Sequence, residues 1–172
     1  LDLFHTNGVE DFDDRYSDDP SRLLMSNGDG TFTEQSEPAG ISHTGQGRGV
    51  ACVDYNNDGK LDIFIANNGT GPTVYENESD NANHYLMIDL AGIGKNPDAI
   101  GARVTITSAS GSQIQEVQLG SWYLSQGPQR LHFGLGEDEE ISTIEVIWPG
   151  AERETTLLED ITVDQVLEIA HP

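Results

Sequence analysis

The sequence predicts an all-β chain, and three observations indicate this fold class. Short runs rich in Val, Ile, Thr and aromatic residues recur along the whole chain. Clusters of Gly, Asn, Asp and Pro separate these runs. No segment sustains the 3.6-residue period of an amphipathic helix.

Each of the runs is predicted to be a strand. We expect residues 157–164, between the last two runs, to form no more than a turn. The predicted strands lie at residues 1–4, 22–25, 49–53, 61–66, 73–75, 85–90, 102–107, 113–119, 130–134, 142–148, 152–157 and 165–169.

The composition excludes several classes of partner. Thirty Asp and Glu residues against eight Lys and Arg residues give a formal net charge of −22. Nucleic acid and anionic bilayers are repelled by such a charge, so we exclude both as partners. No run approaches the roughly 18 apolar residues that span a bilayer, which excludes membrane insertion. The single cysteine, Cys52, excludes an intrachain disulfide and a zinc site built on thiolates.

The first half of the chain contains a repeat. The run LDLF followed by Asn7 matches LDIF followed by Asn67 at a spacing of 60, whereas LMSN matches VYEN at a spacing of 50. The first copy therefore carries about ten extra residues, which form the acidic run 10–19. We interpret this run as a solvated loop, with a second cation site or a partner-binding loop as the alternatives.

Fewer than two copies of the repeat are present. Stacked units of this kind need neighbours to bury their faces. We therefore expect the chain to be the C-terminal part of a longer protein, or to complete its sheet with another molecule.

The segment DYNNDGKLD, residues 54–62, places oxygen ligands at alternating positions and a glycine at its sixth position. Three carboxylates and hard oxygen donors suit calcium, which tolerates variable geometry, better than the tight octahedron of magnesium. The alternative is an ion-free turn, because Asn-Asp-Gly is itself a hairpin signal. The acidic residues at both ends of the loop favour the ion, since a bare turn does not need them. The predicted ligands are Asp54, Asn56, Asp58, the carbonyl of Lys60, and Asp62.

Two segments make the first half recognisable. GVACVDYNNDGKLDIFIANN resembles the FG-GAP/VCBS repeat, a blade unit of calcium-binding β-propellers, and SRLLMSNGDGTFTEQSEPAGI is similar to the outer strands of that repeat. The resemblance implies that residues 1–82 form about one and a half blades of a β-propeller. It assigns calcium to the same loop. The similar segment Asn27–Gly30 lacks the third carboxylate, and we interpret it as a hairpin turn.

The second half resembles a different family. The segments NHYLMIDLAG, DAIGARVTIT, GSWYLSQGPQRLHFGLG and IEVIWPG are together similar to the ASPIC/UnbV domain, which commonly follows FG-GAP repeats in secreted acidic proteins such as the cartilage acidic protein family. The alternation of apolar residues in residues 83–172 predicts a small antiparallel β-sandwich or barrel.

Two groups of residues in the second half are candidates for functional sites. Polar residues near strand ends are candidates to line a pocket, or else belong to a loop and a strand in which Arg130 pairs with surface acid and His132 is hydrogen-bonded. Aromatic residues are candidates for a sugar-stacking platform, or else core residues. The structural interpretation of the polar group is favoured, because the sequence has no nucleophile elbow or phosphate loop. That of the aromatic group is favoured because such residues more often belong to a core or a half-buried sheet. The residues concerned are Ser125, Gln126, Arg130 and His132 in the first group, and Trp122, Tyr123 and Trp148 in the second.

Together these patterns predict a non-catalytic calcium-binding module for adhesion, matrix or protein assembly. We expect it to be secreted, or to lie in the periplasm or at a cell surface, with a protein or glycan partner. The alternatives are a subunit of a surface polymer and the accessory part of a secreted polysaccharide-acting enzyme. Asn68 and Asn77 begin N-glycosylation sequons.

Overall fold

A computed structural model of the chain describes residues 2–8, 19–120 and 122–172. These ranges hold thirteen strands and no helix, which confirms the all-β prediction. Consequently no helix within them is long and apolar enough to cross a bilayer. Of the predicted acidic loop 10–19, only Asp19 lies within the described residues.

The strands are numbered in chain order. They are β1 (Leu3–His5), β2 (Arg22–Ser26), β3 (Phe32–Glu34), β4 (Gly47–Val53), β5 (Asp62–Asn67), β6 (Thr73–Tyr75), β7 (His84–Ala91), β8 (Arg103–Ser108), β9 (Gly111–Glu116), β10 (Leu131–Gly136), β11 (Glu140–Ile147), β12 (Thr155–Thr162) and β13 (Gln165–Ala170).

Two elements differ from the prediction. Strand β3 was missed, because it is only three residues long and all three are exposed. The turn predicted at 157–164 is wrong, because β12 continues through most of it and pairs with β11. Strand β12 is an edge strand, so its acidic residues Glu159 and Asp160 face solvent where a central strand would exclude them.

The first compact unit consists of Leu1–Tyr55, Leu61–Asn77 and Gly120–Gly127. It holds two antiparallel three-stranded sheets, in the orders β1-β2-β3 and β4-β5-β6. The turn predicted at Asn27–Gly30 is confirmed, because the backbone N–H of Asn27 bonds the carbonyl of Thr31 at 3.0 Å and β2 pairs with β3.

The repeat is visible in the backbone. The carboxylate of Asp2 accepts the N–H of Ser26 at 2.8 Å, and the carboxylate of Asp62 accepts the N–H of Asn77 at the same distance. Asp2 is therefore equivalent to Asp62, as the spacing of 60 predicts. Ser26 and Asn77 are 51 residues apart, so the first copy carries nine extra residues and not ten. The sequence alignment of LMSN with VYEN is therefore shifted by one residue relative to the structural equivalence.

The two sheets correspond to about one and a half propeller blades. Strands β1 and β5 are equivalent, as are β2 and β6, whereas β4 precedes the pair in one sheet and β3 follows it in the other. Each sheet thus represents three of the four strands of a blade. This agrees with the predicted fold class.

A chain of hydrogen-bonded polar side chains, with two buried members at its centre, connects the two sheets of the first unit. The imidazole of His43, 8% exposed, contacts the hydroxyl of Ser21 at 2.8 Å and the side-chain oxygen of Asn67 at 2.7 Å. Ser21 in turn bonds the hydroxyl of Thr6 at 3.1 Å. His43 is therefore a structural residue whose two ring nitrogens are both satisfied.

The second unit consists of Asn56–Lys60, Glu78–Leu119 and Pro128–Pro172. Its two open sheets have the orders β10-β7-β13 and β12-β11-β8-β9. Fifteen buried apolar residues form one core, eleven of them on strands of both sheets and four on the connections between strands. The described residues thus form a β-sandwich and no closed barrel. The boundary predicted at residues 82 and 83 remains a prediction.

The sequence predicts an antiparallel sandwich, but one of its strand pairings is parallel. Strand β13 pairs with β7 in parallel. The chain leaves β12 in one sheet and enters β13 in the other, and the N–H of Asp164 bonds the carbonyl of Tyr85 at 2.7 Å. Because this bond fastens the start of β13 beside the start of β7, both strands run in the same direction.

The sandwich core predicts the effect of truncating one side chain. Phe133 is fully buried, so Phe133→Ala should lower the free energy of unfolding of the second unit by about 3–5 kcal/mol. Urea denaturation followed by the fluorescence of the buried Trp148, in a Trp122→Phe background, measures this change. Leu157→Ala is the control, because Leu157 is 58% exposed and its truncation should change the free energy by no more than about 0.5 kcal/mol.

Candidate metal centre

Two acidic residues of the predicted loop stand at the ends of adjacent strands. Strand β4 ends at Val53, just before Asp54, and β5 begins at Asp62. Asp54 is 8% exposed and Asp62 is 1% exposed. One oxygen of Asp62 accepts the N–H of Asn77 at 2.8 Å, and the other accepts the N–H of Tyr55 at 3.2 Å. The carboxylate of Asp62 therefore joins the start of the loop to Asn77, which lies two residues after the end of β6.

The tip of the loop is a succession of Asx turns. The side-chain oxygen of Asn56 accepts the N–H of Asp58 at 3.2 Å, and the carboxylate of Asp58 accepts the N–H of Lys60 at 2.9 Å. Gly59 has a φ of 90°, a left-handed conformation that favours glycine. Asn56 and Asp58 are exposed, so their oxygens are accessible from solvent.

The donor set fits calcium by its chemistry. It consists of carboxylate, amide and carbonyl oxygens, the hard ligands that calcium prefers. In the described part of the chain, no group of three His, Cys, Asp or Glu side chains is gathered closely enough to hold an ion. The oxygens of Asp58 and Asp62 instead accept backbone N–H groups. Calcium binding would require the carboxylates of the loop to come closer together, whereas their N–H bonds can persist, because a carboxylate oxygen that accepts an N–H keeps a lone pair for an ion.

Residues outside the predicted ligand set hold the loop tip. The ring Nε2–H of His132 donates to the carbonyl of Gly59 at 2.8 Å, and the ring of Tyr85 stacks on that of His132 at a centroid distance of 6.1 Å. Arg130 donates to the side-chain oxygen of Asn57 at 3.4 Å and makes a bidentate pair with Asp89. The role of Tyr85 could not be predicted from the sequence, because Tyr85 and the loop tip are brought together only by the tertiary fold.

These contacts decide between the two interpretations of the polar residues in the second half. Arg130 pairs with an acidic residue and His132 is hydrogen-bonded, as the structural interpretation expects. Ser125 belongs to the first unit, where its hydroxyl bonds the N–H and the carbonyl of Val50 at 3.3 and 3.1 Å. Ser125 and Gln126 thus belong to the first unit, and Arg130 and His132 to the second.

The three aromatic candidates do not form one platform. Trp148 is 1% exposed in the sandwich core, and its indole N–H donates to the hydroxyl of Thr156 at 2.9 Å. Trp122 and Tyr123 are exposed and line a cleft of about 760 Å³ in the first unit, together with Arg48. Trp148 is thus a core residue.

Two titrating groups near these features have shifted pKa values. Burial raises the pKa of the Cys52 thiol on β4, so this thiol stays protonated at neutral pH. In the hairpin turn of the first unit, the hydroxyl and N–H of Thr31 lower the pKa of Asp29. The carboxylate of Asp29 is thus hydrogen-bonded within its own Asx turn.

The comparisons with known proteins agree with these features. Residues 8–65 match the family described as FG-GAP-like repeat, and residues 92–172 match the family described as ASPIC and UnbV. This chain joins an FG-GAP-like repeat to an ASPIC/UnbV domain. Both family resemblances inferred from the sequence are thereby confirmed.

The FG-GAP and ASPIC/UnbV chain also has similar curated relatives. It is 31% identical to cartilage acidic protein 1 of Xenopus tropicalis over 146 residues, which cover 82% of this chain and 22% of the relative. It is 29% identical to cartilage acidic protein 1 of Homo sapiens over 155 residues, which cover 87% of this chain and 23% of the relative. The chain therefore spans less than a quarter of the length of these two relatives.

The environment of Gly59 predicts a strong effect of one methyl group. A Cβ at Gly59 would lie 2.2 Å from the ring of Tyr85. Gly59→Ala should therefore lower the free energy of unfolding of the second unit by about 2–5 kcal/mol, from left-handed strain and overpacking together. Urea denaturation measures this value.

Gly101→Ala is the matched control for the backbone strain. Gly101 lies in the same unit at a φ of 88°, and its Cβ would meet only an ordinary contact with Pro149 at 3.6 Å. This variant should lose about 1–2 kcal/mol. Equal losses in both variants would show that Tyr85 does not restrict the loop.

Proposed function

We propose that this chain is a non-catalytic calcium-binding module of an extracellular protein, serving adhesion, matrix or protein assembly. The observation that carries the proposal is the oxygen-rich loop between β4 and β5, with acidic residues at both strand ends and Gly59 in the left-handed conformation. Such a loop offers an ion five oxygen ligands within nine residues: Asp54, Asn56, Asp58, Lys60 through its carbonyl, and Asp62.

Electrostatics supports a divalent cation in this loop. Three carboxylates contribute a charge of −3, and a net charge of −22 on the chain adds a long-range attraction for cations. Bound calcium would neutralise most of the local charge, which otherwise destabilises the folded chain by self-repulsion. Extracellular calcium sites typically have Kd values of about 10⁻⁴ to 10⁻³ M, and this range suits the millimolar calcium outside cells.

The relatives support the extracellular assignment. Their name associates them with cartilage and with an acidic composition, and we extend a matrix role to this chain. The side-chain amides of both sequon residues donate hydrogen bonds, Asn68 to the side chain of Gln46 at 3.0 Å and Asn77 to the carbonyl of Leu61 at 3.3 Å. They differ in exposure, because Asn68 is exposed and Asn77 is half-buried. Asn68 is therefore the better acceptor for a glycan in a glycosylating host.

Calcium should raise the melting temperature of the chain. At a free calcium concentration tenfold above Kd, one site adds about 1.4 kcal/mol, which corresponds to a rise of about 3–5 °C for a chain of this size. Differential scanning fluorimetry in calcium and in chelator measures the difference. Identical midpoints in both conditions would remove calcium from the proposal.

A substitution in the loop should abolish most of this rise. Asp58→Asn keeps an oxygen for the Lys60 N–H but removes one charge from the ligand set, so calcium affinity should fall by about tenfold or more. Asp29→Asn makes the same change in the other Asx turn, where Asp29 accepts the N–H of Thr31 at 2.9 Å. This control should keep the full rise, and a loss in both variants would point to general acidity.

A further inference from the structure

We propose that the outer face of the sheet β10-β7-β13 fixes the backbone at the tip of the calcium loop, so that fewer residues must be ordered when calcium binds. We call the three residues involved, Tyr85, Arg130 and His132, the loop cradle. They are positioning residues, since none of them belongs to the predicted ligand set. The inference rests on the proposed calcium function and goes beyond it, because it assigns part of the calcium affinity to the second half of the chain.

The first contact is a hydrogen bond at the centre of the loop tip. His132 donates to the carbonyl of Gly59 at 2.8 Å. Gly59 lies between two predicted ligands, Asp58 and Lys60. The carbonyl that follows that of Gly59 in the chain is the predicted ligand of Lys60. Fixing the Gly59 peptide therefore restricts the backbone of both neighbouring ligands.

The second contact is steric. The ring of Tyr85 fills the space that a side chain at Gly59 would occupy, because a Cβ there would lie 2.2 Å from it. The Tyr85 and His132 rings are nearly parallel, with an angle of 4° between their planes. Gly59 thus packs directly against an aromatic surface. Two constraints therefore favour glycine at this position, the positive φ and the lack of space for a side chain.

The cradle itself is held on two hydrogen-bonded strands. Both the N–H and the carbonyl of Tyr85 bond Asp164, at 3.2 and 2.7 Å. The carbonyl of His132 accepts a bond from Gln115 at 2.6 Å, and Arg130 is fixed by its bidentate pair with Asp89. A rigid surface of this kind is what a preorganised site requires, because it moves little when the ligand binds.

The consequence concerns the entropy of binding. Ordering a free residue costs about 1–2 kcal/mol, so a loop tip that is already ordered in the calcium-free chain binds its ion more tightly. Loss of the cradle contact should weaken calcium binding without removing any ligand. The competing explanation is that the cradle only stabilises the second unit and leaves calcium affinity unchanged.

The test is isothermal titration of the 172-residue chain with calcium chloride at 25 °C. His132→Ala removes the donor to Gly59 and should weaken the affinity by about tenfold. His132→Gln places an amide donor near the original Nε2 and should restore the affinity to within about threefold of the parent chain. Near-UV circular dichroism verifies that each variant is folded at this temperature.

Gln113→Ala is the matched control for a lost side-chain bond. Gln113 donates to the carbonyl of Gly134 at 2.8 Å, the same length as the His132 bond, and lies in the same unit. This variant should bind calcium like the parent chain. Amide hydrogen exchange in chelator adds a calcium-free measurement: the Lys60 amide should exchange about tenfold faster in His132→Ala than in Gln113→Ala.

The outcomes separate this inference from the proposed function. Weaker binding in His132→Ala, with recovery in His132→Gln, supports the cradle. Calcium binding of equal strength in the parent chain and in His132→Ala overturns the cradle and leaves the calcium function standing. No heat of binding in the parent chain at millimolar calcium overturns both. Tyr85→Leu serves as a second variant if His132→Ala fails to fold, and unchanged affinity in it would also overturn the cradle.

Discussion

The constraint on which the first unit depends is the burial of a carboxylate at the start of β5. Asp62 is 1% exposed, and a buried carboxylate is costly unless its oxygens are bonded. Two backbone N–H groups satisfy them, one from Tyr55 at the start of the loop and one from Asn77, two residues after β6. The same bond recurs at Asp2, so the aspartate is part of the repeat. Strand pairing, loop closure and the proposed ion site therefore share one residue.

The two units are stabilised by different forces. The sandwich has fifteen buried apolar residues in one cluster, whereas Ile41 and Ile65 are the buried apolar residues among the described part of the first unit. In the first unit, buried Ser21 and His43 connect the sheets through hydrogen bonds, which require matched geometry and tolerate little displacement. An acidic unit with so small an apolar core has reason to use an ion as an additional link.

Local pattern was enough to predict most of the strands and the repeat, because each depends on residues close together in sequence. The parallel pairing of β13 with β7 was not predictable in this way, since it depends on a bond between Asp164 and Tyr85, which are 79 residues apart. The bond from His132 to Gly59 spans 73 residues and was hidden for the same reason. The sequence of the edge strand β12 resembles that of a turn, because exposed edge positions accept the acidic residues that are also common in turns.

Each unit consists of three separate segments of the chain, which has a practical consequence for dissecting the protein. A fragment ending at residue 82 would lose Gly120–Gly127, and with it the clasp of Ser125 on both polar groups of Val50. A fragment beginning at residue 83 would lose Asn56–Lys60 and expose the rings of Tyr85 and His132. Each unit includes residues from both sides of the predicted boundary at 82 and 83, so cutting the chain there would remove a segment from each unit.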